Sequence, residues 1–464
     1  MTQNKKVVAV VCAFAVVVCS IVGIILVSVN SNNEITIVDC NGEMFAEVTL
    51  KGSKEIVTVT DDAYREYAHH SFEEAIELYT KEFSGSRNSV IDTLFNKGAV
   101  IKTNFSTKIC KSIESAFKEN SIGDSVSQCC AVTDNNGGLV AVYGKGRTNG
   151  TVYSEQKNYA CSTIKPLSVY APAINVGIID WSATYTDRPY KNVVDSEGVL
   201  EPWPSNSSGT YTYTEVTVNE ALAESYNTVA VEILKDFGVK RSVDFLDKVL
   251  GIDVSSEREK MNSGGEDEIL SNIALGYLSN GVSAIDLAGY YSMFVADGNY
   301  IKPRAIKVIE SKNGKVLLTV EDAVLKPISE QTAFVMTKLL QNVVKNGTGK
   351  NAAVEGIDIA GKTGTSSGNA DNWFVGYTNE FSCSVWHDNG SNQQNIGNKA
   401  PDVFADVIKE LPINEPNFKD SCSGVEERIY CKRSGALKSD KCSDFATGYY
   451  AMNFKKSVCN ECLS

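Results

Sequence analysis

The sequence predicts an α+β fold, an antiparallel sheet flanked by helices, preceded by an N-terminal transmembrane helix. Short strand-like runs come first, residues 160–300 have a mainly helical pattern, and residues 301–390 return to short strands around one strong helix. Chains that separate strands and helices in this way typically form α+β domains. An uncharged run of 23 residues at 7–29 predicts the transmembrane helix, since a helix of that length spans about 35 Å and crosses a bilayer.

The flanking charges orient this apolar run. Lys5 and Lys6 precede it, and the next charged residue is Glu34. Because basic flanks stay in the cytoplasm, residues 1–6 are expected to form a cytoplasmic tail and the rest of the chain to lie outside the cell membrane. A cleaved signal peptide is the alternative, but the run is long for one and no Ala-x-Ala site follows it. We therefore expect a single-pass membrane protein.

The composition excludes some functions. Hydrophobic residues make up 43% and charged residues 22%, as in an ordinary globular protein. The net charge of -13 argues against a nucleic-acid partner, because phosphate binding needs clustered Lys and Arg. The three histidines, His69, His70 and His387, give poor support to a His-based triad or metal site. No cofactor is indicated.

Local patterns predict several elements. Residues 30–100 resemble a small membrane-proximal module, in which Asp61 and Asp62 cap a helix with a packing stripe of Tyr64, Tyr67, Phe72, Ile76, Tyr79 and Phe83. Ser106 is placed to cap a second helix, whose apolar face is Ile109, Ile113, Ala116 and Phe117. Asn135-Asn136-Gly137-Gly138 predicts a hairpin between strands at 129–133 and 139–143. A long helix is expected near 330–344.

The first motif with chemical content is Ser162-Thr163-Ile164-Lys165. Residues three apart on a helix share a face, so Lys165 would lie beside Ser162. Pro166 is tolerated only in a first turn, which places Ser162 at or near a helix start. A serine hydroxyl is a weak nucleophile, and a lysine of lowered pKa can act as its base. Alone, such a motif is common in solvated helix starts.

Two further motifs complete a set. Ser225-Tyr226-Asn227 would offer a hydroxyl for proton relay and an amide for a peptide carbonyl, on a loop between helices. Lys362-Thr363-Gly364-Thr365 follows a strand-like run at 357–360. On a strand Lys362 and Gly364 share one face, and Gly364 leaves room for substrate beside the strand. The order Ser-x-x-Lys, Ser-x-Asn, Lys-Thr-Gly is much more specific than any one motif.

With these motifs in this order, the chain resembles the transpeptidase domain of class A, bifunctional penicillin-binding proteins. Other landmarks share the likeness: 221–230, 275–277, 285–288, 298–303, Asn346-Gly347-Thr348-Gly349 and 371–377. The resemblance covers roughly residues 100–412. It implies a penicillin-binding, serine β-lactamase-like transpeptidase fold over 101–412, followed by a Cys-rich C-terminal tail at 413–464.

The resemblance also implies roles for the motif residues. Ser162 would be acylated, Lys165 would be the base and Ser225 would relay the proton. Asn227, Lys362, Thr363, Gly364 and Thr365 would form the substrate-binding side, with the backbone N–H groups of Ser162 and Thr365 as the oxyanion hole. Because Lys165 and Lys362 converge, Lys165 is expected to be neutral and Lys362 to stay charged.

The implied activity is that of a D-Ala-D-Ala transpeptidase that cross-links peptidoglycan stem peptides at the bacterial cell membrane and is inhibited by β-lactams. A D,D-carboxypeptidase on the same fold, or a β-lactam-binding sensor, are the alternatives. Two departures matter. Cys161 replaces the Gly that usually precedes the nucleophile, and residues 31–161 are too few for the family's glycosyltransferase domain, so a separate glycosyltransferase is a possible partner.

The cysteines raise a separate question. Of thirteen, Cys12 and Cys19 lie in the apolar run, and five lie in the tail: Cys422, Cys431, Cys442, Cys459 and Cys462. There is a single Cys-x-x-Cys, whereas a structural zinc site usually shows two such pairs or one with two histidines. Disulfides or free thiols are therefore preferred, and no metal site is expected.

Overall fold

The computed structural model describes residues 34–122, 126–146, 152–194, 198–389, 397–452 and 455–463. The predicted transmembrane helix at 7–29 lies outside the described residues. Within the described ranges, no helix has both the length and the apolar character needed to cross a membrane.

The strands of the described residues are numbered in chain order. They are β1 Glu34–Val38, β2 Met44–Lys51, β3 Lys54–Val59, β4 Val100–Thr103, β5 Gln128–Asp134, β6 Leu139–Lys145, β7 Thr184–Thr186, β8 Lys191–Val194, β9 Leu200–Trp203, β10 Glu215–Thr217, β11 Tyr300–Ile301, β12 Ile306–Glu310, β13 Val316–Thr319, β14 Val324–Leu325, β15 Ala360–Thr365, β16 Asp371–Tyr377, β17 Phe381–Asp388, β18 Val425–Cys431 and β19 Phe445–Ala451.

The α-helices of the described residues are numbered likewise. They are α1 Arg65–Phe83, α2 Arg87–Lys97, α3 Thr107–Glu119, α4 Ala171–Asn175, α5 Val218–Ala223, α6 Asn227–Phe237, α7 Val239–Lys248, α8 Ser255–Asn262, α9 Glu266–Leu275, α10 Ala284–Val295, α11 Glu330–Lys345 and α12 Ala400–Lys409.

The first of two compact units comprises residues up to Phe105 together with Ala305–Glu321. Its six-stranded sheet has the order β13-β12-β4-β1-β2-β3, with β1 and β4 parallel. Helix α1 packs on the sheet, and Tyr67 stacks near Phe105 with ring centroids 4.2 Å apart. The sequence analysis had placed 305–321 in the 101–412 domain. Strand β12 belongs to the first unit because it pairs with β4.

The second unit comprises Ser106–Arg304 and Asp322–Ser464. Its five-stranded antiparallel sheet has the order β15-β16-β17-β5-β6, so β15 is an edge strand. Phe374 packs against Phe404 of α12, with centroids 4.7 Å apart, while Tyr377 donates a 3.0 Å hydrogen bond to Thr337 of α11. Positions three apart on a strand point to opposite faces. Helices therefore cover both faces of this sheet, as expected for an antiparallel sheet flanked by helices.

Several local predictions are confirmed. Ser106 caps α3, accepting a 3.3 Å hydrogen bond from the Ile109 backbone N–H, and the predicted apolar face of α3 is buried. The predicted hairpin joins β5 to β6 through a turn at 135–138. Helix α11 spans the region near 330–344 and is capped by Ser329.

Other local predictions need correction. Asp61 caps a short 3-10 turn at Asp62–Tyr64 rather than α1, which begins only at Arg65. Phe83, at the end of the predicted packing stripe, is 53% exposed because α1 ends there. Strand β15 starts at Ala360, so 357–359 precede it.

The segment that carries Ser162 is not a regular α-helix at its start. A 3-10 turn, Cys161–Ile164, leads into a π-helical turn, Pro166–Tyr170, and then into α4. Pro166 has no backbone N–H to donate, which favours an irregular turn over a continuous α-helix. Ser162 thus lies at a helical start, as the sequence predicts, although the helix type differs.

A glycine holds this turn in place from outside. Gly276 ends α9 with φ +85°, and its carbonyl accepts a 3.1 Å hydrogen bond from the Cys161 backbone N–H. A Cβ atom built on Gly276 would lie 2.0 Å from the Cys161 carbonyl oxygen. Only glycine allows this approach, because the backbone of Gly276 is in contact with the backbone of Cys161 and leaves no room for a side chain.

We predict that Gly276→Ala destabilises the protein much more than Gly251→Ala. Gly251 also has a positive φ, +73°, but a Cβ there meets nothing within 4 Å. The left-handed backbone costs an alanine about 1–2 kcal/mol at either site. The clash with Cys161 should cost Gly276→Ala roughly 1–3 kcal/mol more. Denaturant unfolding of both variants measures the difference, and equal losses would contradict this account of Gly276.

Candidate active site

The Lys165 side chain is fully buried. Its backbone N–H donates to the carbonyl of Ser162, which is partly exposed. Lys165 Nζ lies 2.8 Å from the Ser225 carbonyl oxygen and 2.6 Å from Asn227 Oδ1. Both atoms are acceptors only, so they engage two N–H bonds of the amine. Ser225 Oγ lies 3.4 Å away. In the neutral form of Lys165, these two oxygens accept from the N–H bonds of the amine. The lone pair of Nζ therefore remains available to accept a proton.

Ser225 is held by an unusual backbone conformation. It lies in the loop between α5 and α6 with φ +62°, which is uncommon for a residue other than glycine. This conformation aims both its carbonyl and its hydroxyl at Lys165 Nζ. Strain of this kind persists where the surroundings determine the conformation, and it is frequent at active sites.

Lys362 approaches the same hydroxyl from the edge strand β15. Its side chain is fully buried, and Nζ donates a 2.8 Å hydrogen bond to Ser225 Oγ. It also donates to the Thr363 carbonyl at 3.1 Å. The Ser225 hydroxyl therefore lies between two lysine amines that come from positions 197 residues apart in the chain.

Burial sets the charge of both lysines. Burial, followed by repulsion from Lys362, holds the pKa of Lys165 well below its usual range. Burial also lowers the pKa of Lys362 to about 7, although the Glu224 carboxylate opposes this. A neutral Lys165 agrees with the sequence expectation. Lys362, in contrast, was expected to stay charged. An amine of pKa about 7 is charged in only about half of the molecules at neutral pH.

A buried carboxylate positions Asn227. Asp187 accepts hydrogen bonds from Thr228 Oγ1 at 2.6 Å and from Asn206 Nδ2 at 2.7 Å. Asn206 Oδ1 in turn accepts the Asn227 backbone N–H at 2.8 Å. Burial alone would raise the pKa of Asp187, but the hydrogen bonds from Thr228, Thr212 and Asn206 lower it overall. Asp187 therefore stays ionised and fixes the start of α6.

The Asn227 amide is oriented within this network. Its Oδ1 accepts from Lys165, and its Nδ2 donates to the Ser205 carbonyl at 2.7 Å. An amide nitrogen has two N–H bonds. One N–H of Asn227 is thus available for a ligand.

Edge strand β15 lies directly against the turn that carries Ser162. A Cβ atom at Gly364 would lie 2.9 Å from Thr163 Cγ2 and 3.0 Å from the Ala160 carbonyl oxygen. Lys362 and Gly364 are buried, Thr363 is partly exposed and Thr365 is exposed. This is the division between two strand faces that the sequence predicts.

The structure adds site residues to which the sequence analysis gave no role. Asn398 Nδ2 lies 3.0 Å from the Trp373 carbonyl and 3.3 Å from both the Gly364 carbonyl and Thr365 Oγ1. Thr348 Oγ1 lies 2.7 Å from Thr363 Oγ1. Thr348 lies in one of the sequence segments that share the family likeness, so the sequence could have indicated it. No sequence pattern around Asn398 points to a role in the site.

Cys161, the departure from the family pattern, is buried and inert in this setting. Its backbone has φ +52°, where glycine is favoured. Its thiol donates to the Tyr159 carbonyl at 3.4 Å. Burial, together with the Asp371 carboxylate, raises its pKa, so the protonated thiol is a poor nucleophile.

Sequence comparison identifies relatives over this same region. The chain matches the family described as "Penicillin binding protein transpeptidase domain" over residues 128–409. It is 31% identical over 362 residues to penicillin-binding protein 1F of Bacillus subtilis, covering 73% of this chain and 47% of that protein. It is 29% identical over 377 residues to penicillin-binding protein 1A of Clostridium botulinum, covering 76% and 44%. The chain spans less than half the length of these relatives.

Solved structures share the fold. Penicillin-binding protein 1A of Haemophilus influenzae aligns with a TM-score of 0.68 at 14% identity, covering 87% of this chain and 78% of that one. The imipenem acyl-enzyme complex of penicillin-binding protein A from Mycobacterium tuberculosis aligns with a TM-score of 0.62 at 15% identity, covering 82% and 99%. The family match includes Ser162 and also Lys165, Ser225 and Lys362, whose side chains meet in one buried cluster. The chain belongs to the family of penicillin-binding protein transpeptidase domains.

Proposed function

We propose that the chain is a serine acyltransferase that cross-links peptidoglycan stem peptides, a D-Ala-D-Ala transpeptidase. The observation that carries the proposal is the Ser225 hydroxyl between two buried lysines, one of which, Lys165, follows Ser162 by one helical turn. This arrangement offers a nucleophile, a neutral base and a proton relay in one dry site, which is what acyl transfer through a serine ester needs.

In the acylation step, Lys165 takes the proton of the Ser162 hydroxyl while Ser162 Oγ attacks the carbonyl carbon of the penultimate D-Ala. A neutral amine is required, and burial provides it. Oriented backbone N–H groups of Ser162 and Thr365 would stabilise the oxyanion of the tetrahedral intermediate. The Ser162 ester then forms as the terminal D-Ala leaves.

The leaving D-Ala needs a proton on its amine nitrogen. The Ser225 hydroxyl is placed to donate it and to regain a proton from Lys165, with which it is 3.4 Å apart. Lys362, 2.8 Å from the same hydroxyl, favours loss of that proton while it is charged. The acyl group then passes to the amine of a second stem peptide, and the same relay runs in reverse.

The polar rim of β15 would recognise the substrate carboxylate. Thr363 and Thr365 present hydroxyls next to Lys362, and Thr348 and Asn398 fix these two threonines. A bound carboxylate would favour the charged form of Lys362 and so raise its pKa again. Asn227 would hold a peptide carbonyl through its remaining N–H.

β-Lactams are the proposed inhibitors, because a strained cyclic amide with a nearby carboxylate presents the same groups to Ser162 and Lys362. The structurally similar M. tuberculosis protein forms an acyl-enzyme with imipenem. We further propose that the catalytic unit works outside the cell membrane, anchored by residues 7–29, and that a separate glycosyltransferase supplies the glycan strands.

The first prediction concerns the nucleophile. One molecule of a β-lactam should bind covalently per chain, and Ser162→Ala should abolish the adduct while leaving thermal unfolding unchanged. Intact-protein mass spectrometry measures the adduct, and thermal denaturation of the two proteins measures their unfolding. Cys161→Ala is the matched control, since its buried, protonated thiol should contribute nothing to labelling. An adduct that survives in Ser162→Ala, or disappears in Cys161→Ala, would assign the nucleophile elsewhere.

The second prediction concerns the pH dependence of the second-order acylation rate constant. The rate constant should fall as the pH drops through the pKa of Lys165, because the protonated amine is no base. It should also fall as the pH rises through about 7, because Lys362 then loses the charge that attracts a carboxylate. An activated ester without a carboxylate should keep the acid limb and lose the alkaline one.

Variants of the two lysines separate these roles. Lys165→Ala should lower acylation of both substrates by about 10²–10⁴-fold, the usual contribution of a general base. Lys362→Ala should lower acylation by the carboxylate-bearing β-lactam about 10–100-fold, the value of a charge-assisted hydrogen bond, with little effect on the ester. A Lys165→Ala variant that keeps the wild-type acid limb would exclude Lys165 as the base.

The third prediction concerns the acceptor. With a pentapeptide donor and an excess of an amine acceptor, the Ser162 acyl-enzyme should give mainly the cross-linked product and free D-Ala. Chromatography of the products against authentic standards measures the ratio. Mainly hydrolysed tetrapeptide would identify a D,D-carboxypeptidase instead, and a stable acyl-enzyme without product would indicate a sensor.

A further inference from the structure

The C-terminal tail contains a second cluster of reactive side chains. Its four thiols lie within 4.8 Å of one another, and we call this the tail thiol cluster: Cys431, Cys442, Cys459 and Cys462. Three of these side chains are buried and Cys462 is half-buried. The described cysteines are all free thiols in this structure, so the cluster contains no disulfide.

The spacing of the sulfurs is that of ligands around one ion. Zinc binds thiolates at about 2.3 Å, so the sulfurs of a tetrahedral site lie about 3.8 Å apart. Cys431 Sγ and Cys462 Sγ are 3.7 Å apart. Disulfides would draw the sulfurs together in two separate pairs at about 2.05 Å, whereas here all four sulfurs lie within 4.8 Å of one another.

Hydrogen-bond donors surround the sulfurs, as around metal-bound thiolates. Ser439 approaches Cys442 Sγ with its backbone N–H at 3.4 Å and its hydroxyl at 3.3 Å. The Ser434 hydroxyl and the backbone N–H groups of Glu461 and Cys462 lie within hydrogen-bonding reach of the Cys459 thiol. Donors of this kind stabilise thiolates, the form that binds metals.

Backbone hydrogen bonds hold two of the four cysteines in position. Cys431 ends β18, and its N–H donates to the Ala436 carbonyl at 2.8 Å. The Cys459 N–H donates to the Leu437 carbonyl at 2.7 Å. The two halves of the cluster are therefore joined through the turn at 436–437.

We propose that the tail thiol cluster binds one zinc ion in a closed, tetrahedral, structural site. Four thiolates and one Zn²⁺ carry a net charge of −2. The surrounding segment 431–462 has six basic and three acidic residues, a surplus that favours this charge: Lys432, Arg433, Lys438, Lys441, Lys455 and Lys456 against Asp440, Asp444 and Glu461. The site has no open position for a substrate, so its role is structural.

Hydrogen bonds join the segment around the thiol cluster to residues 180–182 of the same unit. Ser182 Oγ donates to the Gly435 carbonyl at 2.6 Å and accepts a 2.7 Å hydrogen bond from the Tyr450 hydroxyl. Lys456 Nζ lies 2.6 Å from both carboxylate oxygens of the buried Asp180. The hairpin β18–β19 is thus held by the cluster and by contacts of the segment 180–182 with its loop, with β19 and with Lys456.

The test is the metal content of the full-length protein, purified in detergent without chelators. We expect one zinc per chain in the wild type, and loss of that zinc in Cys442→Ser and in Cys459→Ser. Cys422→Ser is the matched control: it removes a buried tail thiol outside the cluster and should keep the zinc. Wild-type protein loaded with Co²⁺ alone should show the absorption of a tetrahedral tetrathiolate complex, a readout that does not depend on folding of the variants.

Each alternative gives a distinct result. Two disulfides would leave the unreduced wild-type chain four hydrogen masses lighter than the reduced one, without zinc, and would overturn the proposal. Four alkylatable thiols without metal, and no cobalt tetrathiolate spectrum, would overturn it as well. Iron in the cluster would overturn the identity of the metal. Since zinc content and acylation of Ser162 are measured separately, failure of one leaves the other standing.

Discussion

The burial of two lysine amines around one serine hydroxyl is the constraint on which this site depends. A charged amine without water is strongly disfavoured, and two such amines close together are disfavoured further. The fold meets this cost by making neutral lysine the stable form, with fixed oxygens of Ser225 and Asn227 accepting from Lys165. The same desolvation that threatens stability therefore prepares Lys165 for the role of base that we propose. The low pKa of Lys362 has the same origin, and substrate would reverse it by supplying a negative charge.

The surrounding elements can be understood as supports for this cluster. Ser225 is turned toward both lysines by its positive φ, Asn227 is fixed through Asn206 and Asp187, and β15 lies against the turn of Ser162 because Gly364 has no side chain. Gly276 supports that turn from the other side. Each support uses either a buried hydrogen bond or a close backbone approach. Such contacts tolerate little displacement, which suits a site whose atoms must stay within hydrogen-bonding distance.

The tail illustrates a different solution to a stability problem. The family match ends at residue 409, and the described part of the tail beyond it has one two-stranded hairpin, its loop and a short 3-10 turn at Glu461–Leu463. A two-stranded hairpin is marginally stable alone. Two features of the tail add stability to this hairpin. Tyr449 packs on Trp181, with ring centroids 5.2 Å apart, and the thiol cluster joins the loop to the end of the tail. The proposed zinc and the hydrogen bonds of Asp180 and Ser182 both act on this hairpin.

The sequence by itself determined the family, the side chains proposed to react and several elements of the second unit. Ser162, Lys165, Ser225 and Lys362 could be named because their chemistry leaves a recognisable order of short motifs, and α3, α11 and the β5–β6 hairpin because caps, periodicity and turn residues act locally. Only the tertiary structure decided what depends on burial and distant contacts. Pairing with β4 places 305–321 in the first unit, and burial lowers the pKa of Lys362. Tertiary contacts also bring Asn398 to β15 and bring four tail cysteines together that no sequence pattern had grouped. Those cysteines are separated by long loops, and loop closure leaves no periodic pattern in a sequence.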